Sequence, residues 1–300
     1  MAMRVAVTGA TGFLGRYIVN RLTAGGHHCR CWYRPESDRG GFDGSSDSVE
    51  WVAGELGDPA AADALLGGVD AVVHSALYHP GGGFRGGEGD LVDFVTRNIV
   101  GTIRLIETAR RMGVGRFIFI ATCAVHEIIL DDRPLDEAHP LWPLSHYGAH
   151  KAAIEKFVHS YGLGQAYDIC SLRPTGIYGL ARPVEQSKWC SLVRDVQAGR
   201  PIRSDRGGKE VHAADVAKAV EILLTAEGIA GQAYNCYDMY IAEQTVADIA
   251  KELTGSDSTI EHTLREPKHQ IDTSKLRDLG MTFGGRTLLE RTVRELLDRS

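Results

Sequence analysis

The stretch Val5-Ala6-Val7-Thr8-Gly9-Ala10-Thr11-Gly12-Phe13-Leu14-Gly15 decides the fold. A short β-rich run meets three glycines spaced Gly-x-x-Gly-x-x-Gly, and an apolar pattern of helical period follows through Ile18, Val19 and Leu22. The order is strand, tight turn, helix. At such a turn Gly9 can take a positive φ, Gly12 lets a pyrophosphate approach bare backbone, and Gly15 lets the helix pack closely on the strand. The helix start adds free N–H groups and the positive end of its dipole. Glycine triplets also occur in ordinary βα turns, but at the first strand of a repeating β-α chain the triplet points to a dinucleotide.

That repeat continues outward. Ala24-Gly25-Gly26 stops the helix, and residues 28–33 read as a second strand closing in Arg34-Pro35. In a dinucleotide fold the residue closing this strand meets the adenosine ribose, where a carboxylate accepts from a 2′-hydroxyl and an arginine pairs with a 2′-phosphate. Arg34 stands there with no carboxylate before it, which favours NADP over NAD. Residues 40–47, rich in Gly, Ser and Asp, read as a loop, and 49–53 as strand three. Glu55 and Leu56 follow at its C-terminal end, where Glu55 could accept from an adenine amino group and Leu56 cover the ring; a surface turn is the competing reading. Asp58-Pro59 caps a short helix. Residues 70–76 form a fourth strand, buried on both faces, with His74 read as a satisfied core residue. Residues 78–89 hold six glycines and suit either a lid over a substrate, with His79, Arg85 and Glu88 as polar contacts, or a disordered tip.

A long helical pattern spans 90–112 and contains Asn98; strand five spans 116–121 and ends at Thr122. A helix carrying Ser145 to Lys151 continues to about residue 162, and strand six spans 167–172. Beyond lie helical patterns near 188–198, 213–225, 245–253 and 288–297, a loop at 205–208 and a strand at 232–236. The alternation through residue 173 predicts an α/β fold, a doubly wound parallel Rossmann sheet with a smaller C-terminal substrate lobe. The expected division is an NAD(P)-binding domain over 1–174 and a mostly substrate-binding lobe over 175–300, interleaved with the last sheet elements at about 209–236.

Three hundred residues with 43% hydrophobic content allow about two domains or one large α/β unit. A net charge of −6 offers no basic face, so no nucleic acid is expected as a partner. No apolar run approaches the roughly 18–20 residues of a membrane span, and Met1-Ala2-Met3-Arg4 leads straight into a strand; no membrane contact is expected and the location reads as cytoplasmic. The six cysteines lack paired zinc-type spacing and read as small buried hydrophobes in a reducing compartment.

Tyr147 and Lys151, four apart on a predicted helix, share one face. A free tyrosine has a pKa of about 10, so acid–base work near neutrality asks for a drop of about three units, or roughly 4 kcal/mol in favour of the phenolate. A lysine ammonium one turn away, with a cationic nicotinamide nearby, supplies that sign of field, and Lys151 could also donate to ribose hydroxyls. Thr122, at a neighbouring strand end, can hold the substrate oxygen while Tyr147 carries the proton. His146 and His150 could chelate zinc from one helix face, but no third ligand accompanies them and no metal is expected. They could instead line a substrate pocket or stand in solvent.

These residues resemble the extended short-chain dehydrogenase/reductases, also called the NAD-dependent epimerase/dehydratase family. The carriers are Thr8 to Gly15, Asp70 to Ala76, Asn98 with Gly101-Thr102, Thr122, Tyr147 with Lys151, Arg173-Pro174 with Tyr178-Gly179, and Val211-His212 with Asp215-Val216-Ala217. The resemblance implies a bound NAD(P), a small-molecule substrate, and homodimers through the two long helices that begin near Asp90 and Ser145. It assigns Thr122, Tyr147 and Lys151 to catalysis with Asn98 as a structural member of the site, and sets Pro174 and Ile177 against the nicotinamide. The dinucleotide contacts then comprise Gly9, Thr11, Gly12, Phe13, Leu14, Gly15, Arg34, Glu55, Leu56, Ala76, Lys151, Pro174 and Ile177. Family members that use nucleotide sugars often carry Asn near the position of Gly176 and an arginine shortly before the Val-His pair, where this chain has Gly207-Gly208-Lys209; His126 replaces a common tyrosine. The expected activity is therefore hydride transfer between nicotinamide and a small carbonyl or alcohol resembling a sugar or hydroxy acid. The alternative is a nucleotide-sugar epimerase or dehydratase. A non-catalytic NADP-sensing regulator is the rival from another class, and the intact Thr122, Tyr147 and Lys151 set argues against it.

Overall fold

The computed structural model describes residues 2–43, 46–81, 86–263 and 267–299. In chain order the strands are β1 (Arg4–Thr8), β2 (His28–Tyr33), β3 (Val49–Ala53), β4 (Ala71–His74), β5 (Arg116–Ile120), β6 (Ile169–Pro174), β7 (Gly176–Tyr178), β8 (Ile202–Arg203), β9 (Gly207–His212), β10 (Gln232–Cys236), β11 (Met239–Ala242) and β12 (Ile260–Glu261). The helices are α1 (Phe13–Ala24), α2 (Pro59–Leu66), α3 (Leu91–Val95), α4 (Gly101–Arg111), α5 (His146–Gln165), α6 (Cys190–Gln197), α7 (Ala213–Thr225), α8 (Glu243–Thr254), α9 (Ser274–Asp278) and α10 (Gly285–Arg299).

Two units divide the chain, the first comprising Met1–Pro174, Val216–Cys236 and Ile271–Met281, the second Thr175–Asp215, Tyr237–Gln270 and Thr282–Ser300. The first is built on a seven-stranded sheet of order β10-β6-β5-β4-β1-β2-β3, parallel throughout. Val5, Ala6 and Val7 are wholly buried in it, as an interior strand covered on both faces requires. Strand order reverses between β1 and β4, the switch point beside which open α/β sheets bind ligands. Leu65 of α2, Ile106 of α4, and Ile154 and Val158 of α5 pack with Phe117 and Phe119 in one core cluster. The sheet is the doubly wound Rossmann arrangement that the β-α repeat predicts.

The long helical pattern at 90–112 is not one α-helix: a π-helical turn, Thr96–Val100, separates α3 from α4. Within it the Asn98 amide donates to the Phe94 carbonyl at 3.0 Å, taking up an acceptor of the ordinary ladder. Strand six begins two residues later than its pattern suggests, because Ala166 turns with φ +53° and Tyr167 N–H still closes α5 on the Tyr161 carbonyl. Strand four is shorter, ending at His74. In the loop predicted at 40–47, Ser46–Ser48 forms a single 3-10 turn, and residues 44–45 lie outside the described residues.

The second unit holds a three-stranded sheet of order β11-β9-β7 and a parallel pair β12-β8. The loop expected at 205–208 is strand from Gly207 onward, paired antiparallel with β11 and parallel with β7. Its glycines conceal a strand whose partners are remote in sequence. Val193, Val246, Ile249, Leu289 and Val293 bring α6, α8 and α10 into one core. All six cysteines are free, and five are buried, Cys123 being half-buried. No helix among the described residues is long and apolar enough to cross a membrane.

Candidate active site

The first unit places a glycine cradle at the switch point. Gly9 turns with φ +71°, and a Cβ there would meet Ala76 N at 2.8 Å and the Ser75 backbone at 2.9 Å. A Cβ on Gly15 would overlap the Gly9 carbonyl oxygen at 2.0 Å, so the glycine is what lets α1 start against the turn. Gly12 is exposed, and its added Cβ would meet Gly9 O alone, at 3.2 Å. As the N-cap of α1 it carries no side-chain cap, and no acidic residue occupies the first turn. N–H groups therefore remain for a phosphate, with no carboxylate to repel it. Thr11, Phe13 and Leu14 are half-buried around this turn. The cradle fits a dinucleotide pyrophosphate.

A chain of buried hydrogen bonds fixes its far wall. Ala76 N–H donates to Thr8 Oγ1 (3.1 Å), Thr8 Oγ1 meets His74 Nδ1 (2.7 Å), His74 Nε2 meets Thr102 Oγ1 (2.8 Å), and Thr102 donates to the Asn98 carbonyl (2.5 Å). Burial pushes His74 down to about 3, so the ring is neutral. With Thr102 already donating to Asn98, His74 donates from Nε2 and accepts at Nδ1. His74 is thus the satisfied core residue foreseen. The Asn98 side chain holds both backbone groups of Tyr78 at 2.9 Å, the start of the glycine-rich stretch. In that stretch Glu88 is buried and His79 Nδ1 lies 2.8 Å from the Gly81 carbonyl; residues 82–85, Arg85 among them, lie outside the described residues.

Thr122 follows β5, and its Oγ1 accepts from Ala124 N–H at 3.1 Å. Its hydroxyl also bonds the Tyr147 phenol. Burial raises the Tyr147 pKa and the Thr122 bond pulls against that rise, so in the protein alone the phenol sits above its ordinary value. Lys151, one turn along α5, is buried, donates from Nζ to the Ile120 carbonyl at 2.7 Å and lies 4.6 Å from the Phe119 ring centre. Desolvation pushes its pKa down to about 7, against the pull of Glu155.

Two supports of this site, Glu127 and Glu155, escape a reading of the sequence alone, whereas His150 is read there as lining a pocket or standing in solvent. Glu127 Oε2 accepts from Leu144 N–H (2.5 Å) and Ser145 N–H (2.7 Å), while Ser145 Oγ accepts from Gly148 N–H (3.1 Å), so both fasten the start of α5. Glu155, a further turn past Lys151, receives the buried Arg173 guanidinium at 2.6–3.1 Å. A carboxylate four residues beyond Lys151 on the core face is the signal that could have found it. His150 is buried, its ring 5.3 Å from that of Tyr147 and 5.0 Å from that of Phe94, and its Nδ1 has no hydrogen-bond partner. Desolvation takes it down to about 3. His146 is exposed, and among the described residues no His, Cys, Asp and Glu group could hold a metal.

At the adenosine side, Arg34 is exposed and pairs with Glu36 at 3.1 Å. Glu55 is exposed with Arg97 3.7 Å away, and Leu56 is buried. Pro174 is buried at the end of β6 in the first unit, whereas Ile177 belongs to β7 of the second.

The sequence is 27% identical over 92% of this chain to a trifunctional UDP-glucose 4,6-dehydratase/UDP-4-keto-6-deoxy-D-glucose 3,5-epimerase/UDP-4-keto-L-rhamnose-reductase of Arabidopsis thaliana, but spans only 44% of that protein. It is 28% identical to sterol demethylase protein B of Methylococcus capsulatus, over 84% of this chain and 75% of the relative. Among solved structures, the UDP-glucose 4-epimerase of Thermus thermophilus in complex with NAD superposes with a TM-score of 0.76 at 22% identity, covering 99% of this chain and 98% of that one. The profile of the NAD dependent epimerase/dehydratase family matches residues 5–236, from the first residues of β1 to the end of β10, and the chain belongs to that family.

Proposed function

We propose that the protein catalyses NAD(P)-dependent hydride transfer at a hydroxyl-bearing carbon of a sugar-type substrate, with Tyr147 as acid and base. The hydrogen bond between Tyr147 and Thr122, with Lys151 buried one turn away, carries this reading. A bound nicotinamide supplies or accepts the hydride. Thr122 holds the substrate oxygen by its hydroxyl, Tyr147 moves the proton at that oxygen, and Lys151 in its charged form favours the phenolate. Asn98 keeps the wall of the cofactor cradle in place through Tyr78. The preference is for NADP, because Arg34 is engaged by the exposed carboxylate of Glu36, which a 2′-phosphate can displace at small cost.

For the substrate, nucleotide sugars are favoured by the names of the relatives. A smaller neutral carbonyl or alcohol is the second reading, on Gly176 and Gly207-Gly208-Lys209. A thermal-shift screen of the NADPH-loaded protein separates them: stabilisation of about 1 kcal/mol by UDP-glucose, UDP-galactose or dTDP-glucose near 1 mM means a Kd below that concentration. Turnover of aldoses or polyols with no such shift selects the second. Absence of both activities, with no dinucleotide bound, overturns the proposal.

A further inference from the structure

In the second unit, Glu210 of β9 is 3% exposed. Lys188 donates from Nζ to its Oε1 in an ion pair, while Oε2 is buried without a hydrogen-bond partner. The seat of this carboxylate is made of glycine. Gly176 faces Glu210 across the β7–β9 ladder, and Gly208 lies two residues before it on the same face. A Cβ at Gly176 would meet Oε2 at 2.5 Å, and one at Gly208 would press on Oε1.

Lys188, with 38% of its side chain exposed, also lines a cleft of about 700 Å³ within the same unit, together with Arg203, Arg206, Asp195, Glu243 and Glu261. Arg203 is held by Glu261 at 2.8 Å. The lining thus carries at least as much negative as positive charge, and the lysine that faces the cleft is neutralised from behind. Burial raises the Glu210 carboxyl and the Lys188 ammonium pulls it back, so the two charges support one another. A pair with one end buried and the other in reach of solvent is a weak source of stability, since the buried charge must be desolvated and the exposed one is screened.

We propose that Glu210 is a specificity-determining residue acting through Lys188: it withholds the ammonium from phosphate, so that the cleft takes an uncharged, hydroxyl-bearing part of the substrate. The inference rests on the second reading above, a smaller neutral substrate, and on that substrate being bound in the second unit. It assigns to Gly176 and Gly208 the role of giving the carboxylate room.

The test is calorimetric titration of UDP-glucose and of inorganic pyrophosphate into the full chain saturated with NADPH, so that the glycine cradle of the first unit is already filled. Glu210→Gln keeps the shape and removes the charge, and is expected to tighten both ligands at least tenfold. Gly176→Ala, which forces the carboxylate off its seat, is expected to move affinity the same way. Adding Lys188→Met to Glu210→Gln should abolish the gain, an outcome that a purely structural ion pair does not produce. Unchanged or weaker affinity in both single variants, a gain that survives without Lys188, or micromolar binding of UDP-glucose by the unaltered protein overturns the inference. NADPH binding, followed by its fluorescence on the same samples, reports separately on the dehydrogenase reading.

Discussion

Tyr147 and Lys151 illustrate how one helix face can hold groups whose protonation is set by burial rather than by sequence spacing. Tyr147→Phe keeps the ring and removes the proton carrier; turnover is expected to fall at least about a hundredfold with cofactor affinity nearly unchanged, read by steady-state kinetics and NADPH titration. For Lys151 the sign follows from linkage. An unfolded lysine titrates near 10.4, and the folded one at about 7. Between those values the unfolded chain holds the extra proton, so stability rises with pH across that window and the penalty is complete below it. Lys151→Met should therefore stabilise the cofactor-free protein at pH 7, by about 1–4 kcal/mol, and the advantage should shrink toward pH 10 in urea titrations. At the cofactor end, Arg34→Ala is expected to erase most of a preference for NADP over NAD, measured by calorimetry; equal affinities in the unaltered protein would leave Arg34 as a solvated residue. The positions of Tyr147, Lys151 and Thr122 are legible in the sequence because a four-residue spacing and a strand end are local facts. The clamp of Arg173 on Glu155 and the neutral ring of His150 are not, since each depends on which distant segment supplies the low-dielectric surroundings.

Among the elements, α5 shows the tightest packing constraint. A Cβ on Gly162 would fall 1.9 Å from Gly231 N, just before β10 begins. Gly162→Ala has no side-chain end that could yield, so it should cost about 3 kcal/mol and lower the urea midpoint without changing the slope. Strands β2, β3 and β10 and helix α7 coincide with their patterns because local signals bound them, as Ala24-Gly25-Gly26 does before β2 and Gly231 before β10. The π turn after α3 could not be read from periodicity, because it arises from a side-chain bond between Asn98 and Phe94 and from the hold of Asn98 on Tyr78. Short strands β7, β8, β11 and β12 were equally hidden. Their two to four residues carry too little pattern, and their partners lie 29 or more positions away, as Met239 does from Glu210.

At the scale of the whole molecule, helices α3 and α5 leave apolar side chains uncovered, with Val92 74% and Leu163 68% exposed and Phe157 at 39%. A homodimer through these helices is expected, and Val92→Asp combined with Phe157→Asp should shift it to monomer in sedimentation velocity. The chain passes from one unit to the other five times, at Pro174, Asp215, Cys236, Gln270 and Met281, so that residues 271–281 return to the first unit in addition to the interleaved stretch expected at about 209–236. Strand β6 pairs with β5 on one side and with β10 on the other, from Gln232↔Cys170 to Cys236↔Pro174. That pairing sets a delay during synthesis. At about 5–20 residues per second, β6 waits roughly 3–12 s before the residues of β10 have been added, with one row of backbone N–H and C=O groups open to other nascent chains. Folding of this protein in the cell is thus exposed to capture at one defined strand edge, and its yield on refolding should fall with concentration even where the finished fold is stable.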